Sequence, residues 1–456
     1  MLFLMVLASV ALAAEPDGWA ERQAAGVRPI EVVELPAPPS TLVVGATVLT
    51  AAGERLEGGW VLMRDGRIAD VGDGARPAAD RVVEAPASWF VTPGIIDTHS
   101  HLGVYPSPDA KAHADGNEMT RPVTPGVWAE HGVWPADPGF QRAVAGGVTT
   151  LQVLPGSANL IGGRGVVLRP LPTRGGRAMR FPGAPETVKM ACGENPKRVY
   201  GEKGGPATRM GNLHGQRQAF LDAKSYGQKW ADAAPAAGKR KKDEPAPTPP
   251  DQDLDKDTLV GLMNGQFLAQ VHCYRADDML SFLQLADEMG FQVRSFHHAV
   301  EAYKIRDVLA ARGVSVSTWS DWWGFKMEAF DAVLPNVAML SSAGARAIVH
   351  SDSPEGIQRL NQEAGKAWRD GQDAGFAVSE DEALRWITAN PAWALGIDGE
   401  TGTLEAGKRA DLVLWDAHPF SVYARARKVF IDGRLVLDAD HPETWSDFEI
   451  GQEVSP

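Results

Sequence analysis

The chain has 456 residues, 44% of them hydrophobic, and a formal net charge of −13; that is enough for one large globular domain plus a smaller one. So acidic a surface repels phosphate backbones and anionic lipid, which argues against nucleic acid as a partner. The only cysteines are Cys192 and Cys273, too few for a disulfide scaffold.

Residues 2–13, LFLMVLASVALA, form an uninterrupted apolar or small run. It is too short to span a bilayer and reads as the apolar core of a signal peptide occupying residues 1–13, with Ala11-Leu12-Ala13 as the cleavage motif. The positive segment usual before such a core is missing, and a buried N-terminal element is the alternative. The expectation is a periplasmic or secreted protein. With no cysteine near the cleavage motif, no membrane anchor is expected.

Residues 42–90 read as short strands with a hairpin turn at Asp65-Gly66, and residues 401–437 read the same way with a turn at Asp432-Gly433. A composite β-sandwich built from both chain ends, residues 14–90 plus 399–445, follows. Between them, residues 91–398 alternate strand-like runs with helical patterns, as in a parallel sheet covered by helices. The strand candidates are 91–97, 147–154, 165–170, 187–191, 267–272, 291–296, 314–318 and 346–351. Eight runs predict an α/β fold, a closed (β/α)8 barrel. Residues 276–289 carry apolar residues on one helical face and stop at Gly290; 301–312 repeat the pattern, and Ser379 opens a capping box. Residues 231–257, rich in Ala, Pro, Lys, Glu and Asp without apolar periodicity, read as a mobile insertion. Both cysteines lie beside barrel strands, where buried free thiols are the expectation, one bridge being the alternative.

The chemistry gathers at strand ends. His99-Ser100-His101 follows the apolar run GIID; residues i and i+2 of a strand face the same way, so two imidazoles can close on one cation. His272, the pair His297-His298, and Asp352 end later strand candidates. Imidazole and carboxylate suit zinc and similar divalent ions. The insertion at 103–136 is long enough for a lid, but its Pro- and Gly-rich loop fixes no ligand geometry.

The stretches VTPGIIDTHSHL, VHCYRADD, FHHAVEAYK, IVHSDSPEG and GTLEAGKRADLVLWD resemble the amidohydrolase superfamily, nearest its imidazolonepropionase-like branch. The resemblance covers nearly the whole mature chain and implies the same barrel-plus-sandwich fold. It also implies that His99, His101, His272, His298 and Asp352 are metal ligands, with His298 rather than His297 in the register set by the following A-x-E-A-Y-K, and that Asp352 and His298 are catalytic. Lys189 takes the place of a carboxylated lysine that bridges two ions in many members; Glu194 is the alternative, and without either a single ion remains. Zn2+, one or two ions, is the expected metal.

The residues themselves support metal-assisted hydrolysis of a C–N bond, with Asp352 moving the proton. The candidate substrates are small amides such as dipeptides, N-acyl amino acids and cyclic amides. A ring-amidine deaminase is the runner-up, and a catalytically inactive barrel used for binding or assembly is the rival from another class. Asn195, Lys197, Arg198 and Arg275 are candidate substrate contacts, and Trp319, Trp322 and Trp323 candidate pocket walls. A homo-oligomer is left open.

Overall fold

The computed structural model describes residues 37–233 and 248–441. The expected leader at 1–13 and most of the expected insertion lie outside the described residues. The flanks of that insertion are helical: residues 231–233 end helix Arg209–Ala233, and helix Leu254–Met263 starts inside it, its first turn capped by the Asp253 carboxylate.

Strands β1 (Thr41–Val44), β2 (Thr47–Leu49), β3 (Arg55–Leu56), β4 (Trp60–Arg64), β5 (Arg67–Gly72), β6 (Arg81–Glu84) and β7 (Phe90–Pro93) come first. They are followed by the barrel strands β8 (Ile95–Ser100), β9 (Val148–Val153), β10 (Ile161–Leu168), β11 (Thr187–Ala191), β12 (Leu268–Cys273), β13 (Val293–His298), β14 (Ser315–Thr318) and β15 (Ala347–Val349). The chain closes with β16 (Leu412–Trp415), β17 (Ala426–Ile431) and β18 (Arg434–Asp438). One small sheet has the order β5-β4-β1-β6, the other β18-β17-β16-β7-β2-β3. Val61, Met63 and Ile68 from the N-terminal end pack with Leu412, Leu414 and Phe430 from the C-terminal end in one apolar core. Both expected hairpin turns are present: Asp65-Gly66 and Asp432-Gly433 all have positive φ, the conformation that a two-residue turn between twisted strands requires.

Sandwich and barrel meet at Gly94. The run expected as a single barrel strand, 91–97, divides there: β7 pairs with β16, and β8 pairs with β9. A Cβ on Gly94 would fall 2.0 Å from Thr149 Oγ1, so only glycine allows so close a crossing.

The eight barrel strands form one sheet in sequence order. Two expectations need correction. First, β10 runs antiparallel to both β9 and β11; residues 154–160 between β9 and β10 are too few for the crossover that a parallel pair needs. Second, β15 and β8 share no ladder, so the barrel is nearly closed. Its seam is tied by single hydrogen bonds instead: the Asp97 carboxylate accepts from the Ser351 amide at 3.2 Å and from the Ser351 hydroxyl, and the Asp352 backbone amide donates to the His99 carbonyl at 2.9 Å.

Strand alternation explains which residues line the barrel. Val271 and Phe296 join Met279 and Phe282 of helix Ala276–Met289 in the main apolar core. Their neighbours Gln270, Ser295 and His297 are fully buried inside, His297 hydrogen-bonded to Gln270 and Ser295 to Ser317 of β14. The cysteine expectation is also corrected. β11 and β12 pair in parallel with Ala191 opposite His272, so Cys192 and Cys273 emerge side by side, Cα atoms 5.3 Å apart, and form a disulfide. No described cysteine is free.

Candidate metal centre

Five side chains converge at the C-terminal rim of the barrel. His99 Nε2 and His101 Nε2 lie 3.5 and 3.1 Å from Asp352 Oδ1, and His298 Nε2 lies 3.8 Å from Asp352 Oδ2. His350 is the fifth: its ligand atoms lie within 4.8 Å of those of His99 and His298. The His272 ring centroid is 4.5 Å from that of His298, and Lys189 Nζ is 3.1 Å from His99 Nε2. His298 and Asp352 both hold positive φ, 69° and 52°, a conformation uncommon for residues other than glycine and concentrated at functional sites.

The second nitrogen of each strand-one imidazole is already committed. His101 Nδ1 is 2.8 Å from the Leu154 carbonyl, so it carries the proton and leaves the Nε2 lone pair facing Asp352. For His99 the assignment runs through a buried relay. Gln270 Nε2 donates to the Ala394 carbonyl (3.2 Å), which leaves Gln270 Oε1 to accept from His297 Nε2 (2.7 Å). Neutral His297 then offers Nδ1 as acceptor to His99 Nδ1 (3.0 Å), and the His99 Nε2 lone pair points into the cluster.

Burial holds His99, His272, His297 and His298 well below the ordinary imidazole range and His350 down at about 3, so all five rings are neutral at neutral pH. Burial also pushes Lys189 down to about 7. For Asp352, burial raises the pKa, but the neighbouring His101, His350 and Lys189 outweigh it and hold the group below the ordinary carboxylate value.

This donor set fits a divalent cation. Lone pairs of His99 and His101 face a carboxylate oxygen, a repulsive contact unless a proton or cation lies between. Nδ1 of His272, His298 and His350 are also buried without a hydrogen-bond partner among the described residues, polar atoms that cost free energy to leave unsatisfied.

The other sequence candidates divide. Asn195 reaches the cluster, its Nδ2 3.4 Å from His272 Nε2, and its Oδ1 accepts from Lys326 at 3.1 Å. Glu194 turns away toward Lys326, 3.5 Å distant, so of the two strand-four candidates only Lys189 points into the barrel. Lys197 and Arg198, on helix Glu194–Tyr200, make no hydrogen bond or ion pair to the cluster among the described residues. Arg275 is engaged by Asp277, two residues on, at 2.9 Å. In the expected lid, Glu130 is buried and paired with Arg180 at 3.1 Å. His350 and Gln270 are absent from the set that sequence reasoning singled out, and His297 enters it only as the neighbour passed over for His298. His350 carried a usable signal, since it lies two residues before Asp352, as His99 lies before His101.

The amidohydrolase family model matches residues 269–437. The crystal structure of an amidohydrolase from Thermotoga maritima aligns over 87% of this chain and 100% of its own, with a TM-score of 0.78 and 34% identity. The chain belongs to the amidohydrolase family. Amidohydrolase tasK of Hapsidospora irregularis is 33% identical over 408 residues, 83% of this chain, which spans only 40% of that relative's length. An imidazolonepropionase of Rhizorhabdus wittichii is 26% identical over 411 residues, covering 81% of this chain and 92% of its own. The amidohydrolase described here is thus a metal-dependent hydrolase by family, and its histidines lie close enough together to hold one ion.

Proposed function

We propose that this amidohydrolase cleaves a C–N bond of a small, non-nucleotide amide such as a dipeptide, an N-acyl amino acid or a cyclic amide. The observation that carries the reading is the facing of two imidazole lone pairs and the Asp352 carboxylate across a gap that only a proton or cation satisfies.

His99, His101, His298 and Asp352 would hold the ion, with His272, His350 and Lys189 beside them; zinc suits this nitrogen and oxygen donor set. A bound divalent ion supplies Lewis acidity and lowers the pKa of water from 15.7 toward about 7. The chain's own groups do the rest. Asp352, ionised and 23% exposed, accepts the proton of the attacking water and returns it to the leaving nitrogen. Lys189 is enclosed with no carboxylate within ion-pair reach among the described residues. Its amine is about half neutral at pH 7; the neutral form adds carbon dioxide and releases a proton, and the resulting carbamate would be an anionic ligand for a second ion. Asn195 and Lys326 stand beside His272 and are placed to meet the substrate's polar end.

Export to an oxidising compartment belongs to the same proposal. It rests on the apolar leader and on the Cys192–Cys273 bridge, since disulfides persist outside the reducing cytosol. No helix among the described residues is long and apolar enough to cross a membrane.

The test is turnover of the zinc-loaded protein on an amide panel, with ammonia assayed separately from amine and carboxylate. Amine plus carboxylate is expected. Ammonia alone from a ring amidine replaces the reading with a deaminase. A metal-loaded protein inert on the whole panel replaces it with a binding module.

A further inference from the structure

A cavity of about 350 Å³ opens beside the cluster, and it starts at His350. Its size is at the lower end of the roughly 300–1,000 Å³ usual for small-molecule sites. Trp319 and Trp322 form one wall, and Glu355, Arg359 and Lys366 line the other side. This is the β14–β15 side of the rim, whereas Asn195, Lys197 and Arg198 follow β11.

Trp319 is fixed. Its indole N–H donates to the Ser351 carbonyl at 3.0 Å, and its ring stacks on His298 at 4.5 Å with 25° between planes. Trp322 leans on Trp319 at 4.9 Å, and Phe325 on Trp322 at 5.4 Å. Trp322 and Phe325 nonetheless remain 45% and 49% exposed. The aromatic stack therefore runs from a proposed metal ligand out to solvent, with its outer rings unfilled.

The charged side does not make this an anion site. Lys366 is held by Asp321 and Glu363, both at 2.8 Å, and Arg359 lies 3.8 Å from Glu363. Among the described residues Glu355 has only the Ser353 hydroxyl, at 3.0 Å. Three carboxylates against two cations leave the lining with a net charge of −1, so a substrate carboxylate is repelled and a neutral ring is not.

We propose that this cavity is a subsite for a neutral aromatic ring on the substrate, placed by Trp319 and Trp322 while the scissile amide lies over the cluster. The proposal rests on the hydrolase reading above and narrows its substrates to aryl-bearing amides. Burying a phenyl-sized group is worth about 10–100-fold in a binding constant, and offset or edge contacts with indole add to it.

The test is calorimetric titration of the zinc-loaded full chain with phenylacetamide and with acetamide, alongside Trp322→Ala and Trp322→Phe. Phenylacetamide is expected to bind at least about tenfold more tightly than acetamide. Trp322→Ala should bring the two within about threefold, and Trp322→Phe should retain most of the difference. Equal binding of both amides, or a preference untouched by Trp322→Ala, overturns the subsite. Hydrolysis is followed in parallel. Ring preference without turnover of any amide supports the subsite and removes the hydrolase reading, whereas turnover without ring preference does the opposite.

Discussion

Lys189 is a fully buried amine whose pKa burial lowers from 10.5 to about 7. At pH 7 the unfolded chain holds this lysine protonated, and the folded chain holds it only half so. The difference costs the metal-free protein about 4 kcal/mol. Its contact with His99 Nε2 at 3.1 Å returns about 1 kcal/mol. Lys189→Met is close in volume and carries no charge, so the metal-free variant should be more stable at pH 7 by about 3 kcal/mol. The sign also fixes the pH dependence. Between about pH 7 and 10.5 the unfolded state binds more protons than the folded one, so wild-type stability should rise with pH in that window. The variant should lack this rise. Urea unfolding of chelator-treated protein in bicarbonate-free buffer at pH 7 and about pH 9 measures both effects. With metal restored the order should reverse, because the variant has lost a ligand. A metal-free Lys189→Met protein less stable than wild type, or a wild-type midpoint flat with pH, would refute the unpaired buried amine.

Three further outcomes are expected. Asp352→Asn removes a proposed ligand as well as the proton carrier, so kcat per bound zinc, with loading fixed by elemental analysis, should fall about 10²–10⁴-fold; full activity at full loading would remove Asp352 as the proton carrier. Gln270→Leu leaves His297 free to turn, so zinc affinity by competition with a chelator should fall about 10–100-fold, and an unchanged affinity would break the relay to His99. Cys192 and Cys273 close a loop with a sequence separation of 81, so replacing both by serine should cost about 2–4 kcal/mol in unfolding. Intact mass before and after reduction checks that the bridge exists, and two free thiols in the unreduced protein would exclude it.

Much of the site is legible because strand ends are legible. β11 falls on the five residues read for it, which places Lys189 inside the barrel, and the i, i+2 rule brings His99 and His101 to one rim. What the chain order hides is register. Nothing in sequence says that Ala191 lies opposite His272, so the bridge one residue further on went against the expectation of free thiols. The β10 run carries the same apolar signal whichever way it points, and only the short link before it carries the direction. Glu194 and Arg275 look available until local partners claim them: Lys326 from a distant loop takes the first, and Asp277, two residues on, takes the second. The relay from Gln270 to His99 joins three strands, and amide and imidazole at those positions read equally well as packing.

A crystal of zinc-soaked protein measured at the zinc absorption edge tests the convergence on a shared cation most directly. An anomalous peak about 2.0–2.2 Å from nitrogen and oxygen atoms of His99, His101, His298 and Asp352 is the predicted result. Zinc bound elsewhere, with these four side chains left unliganded, would contradict it.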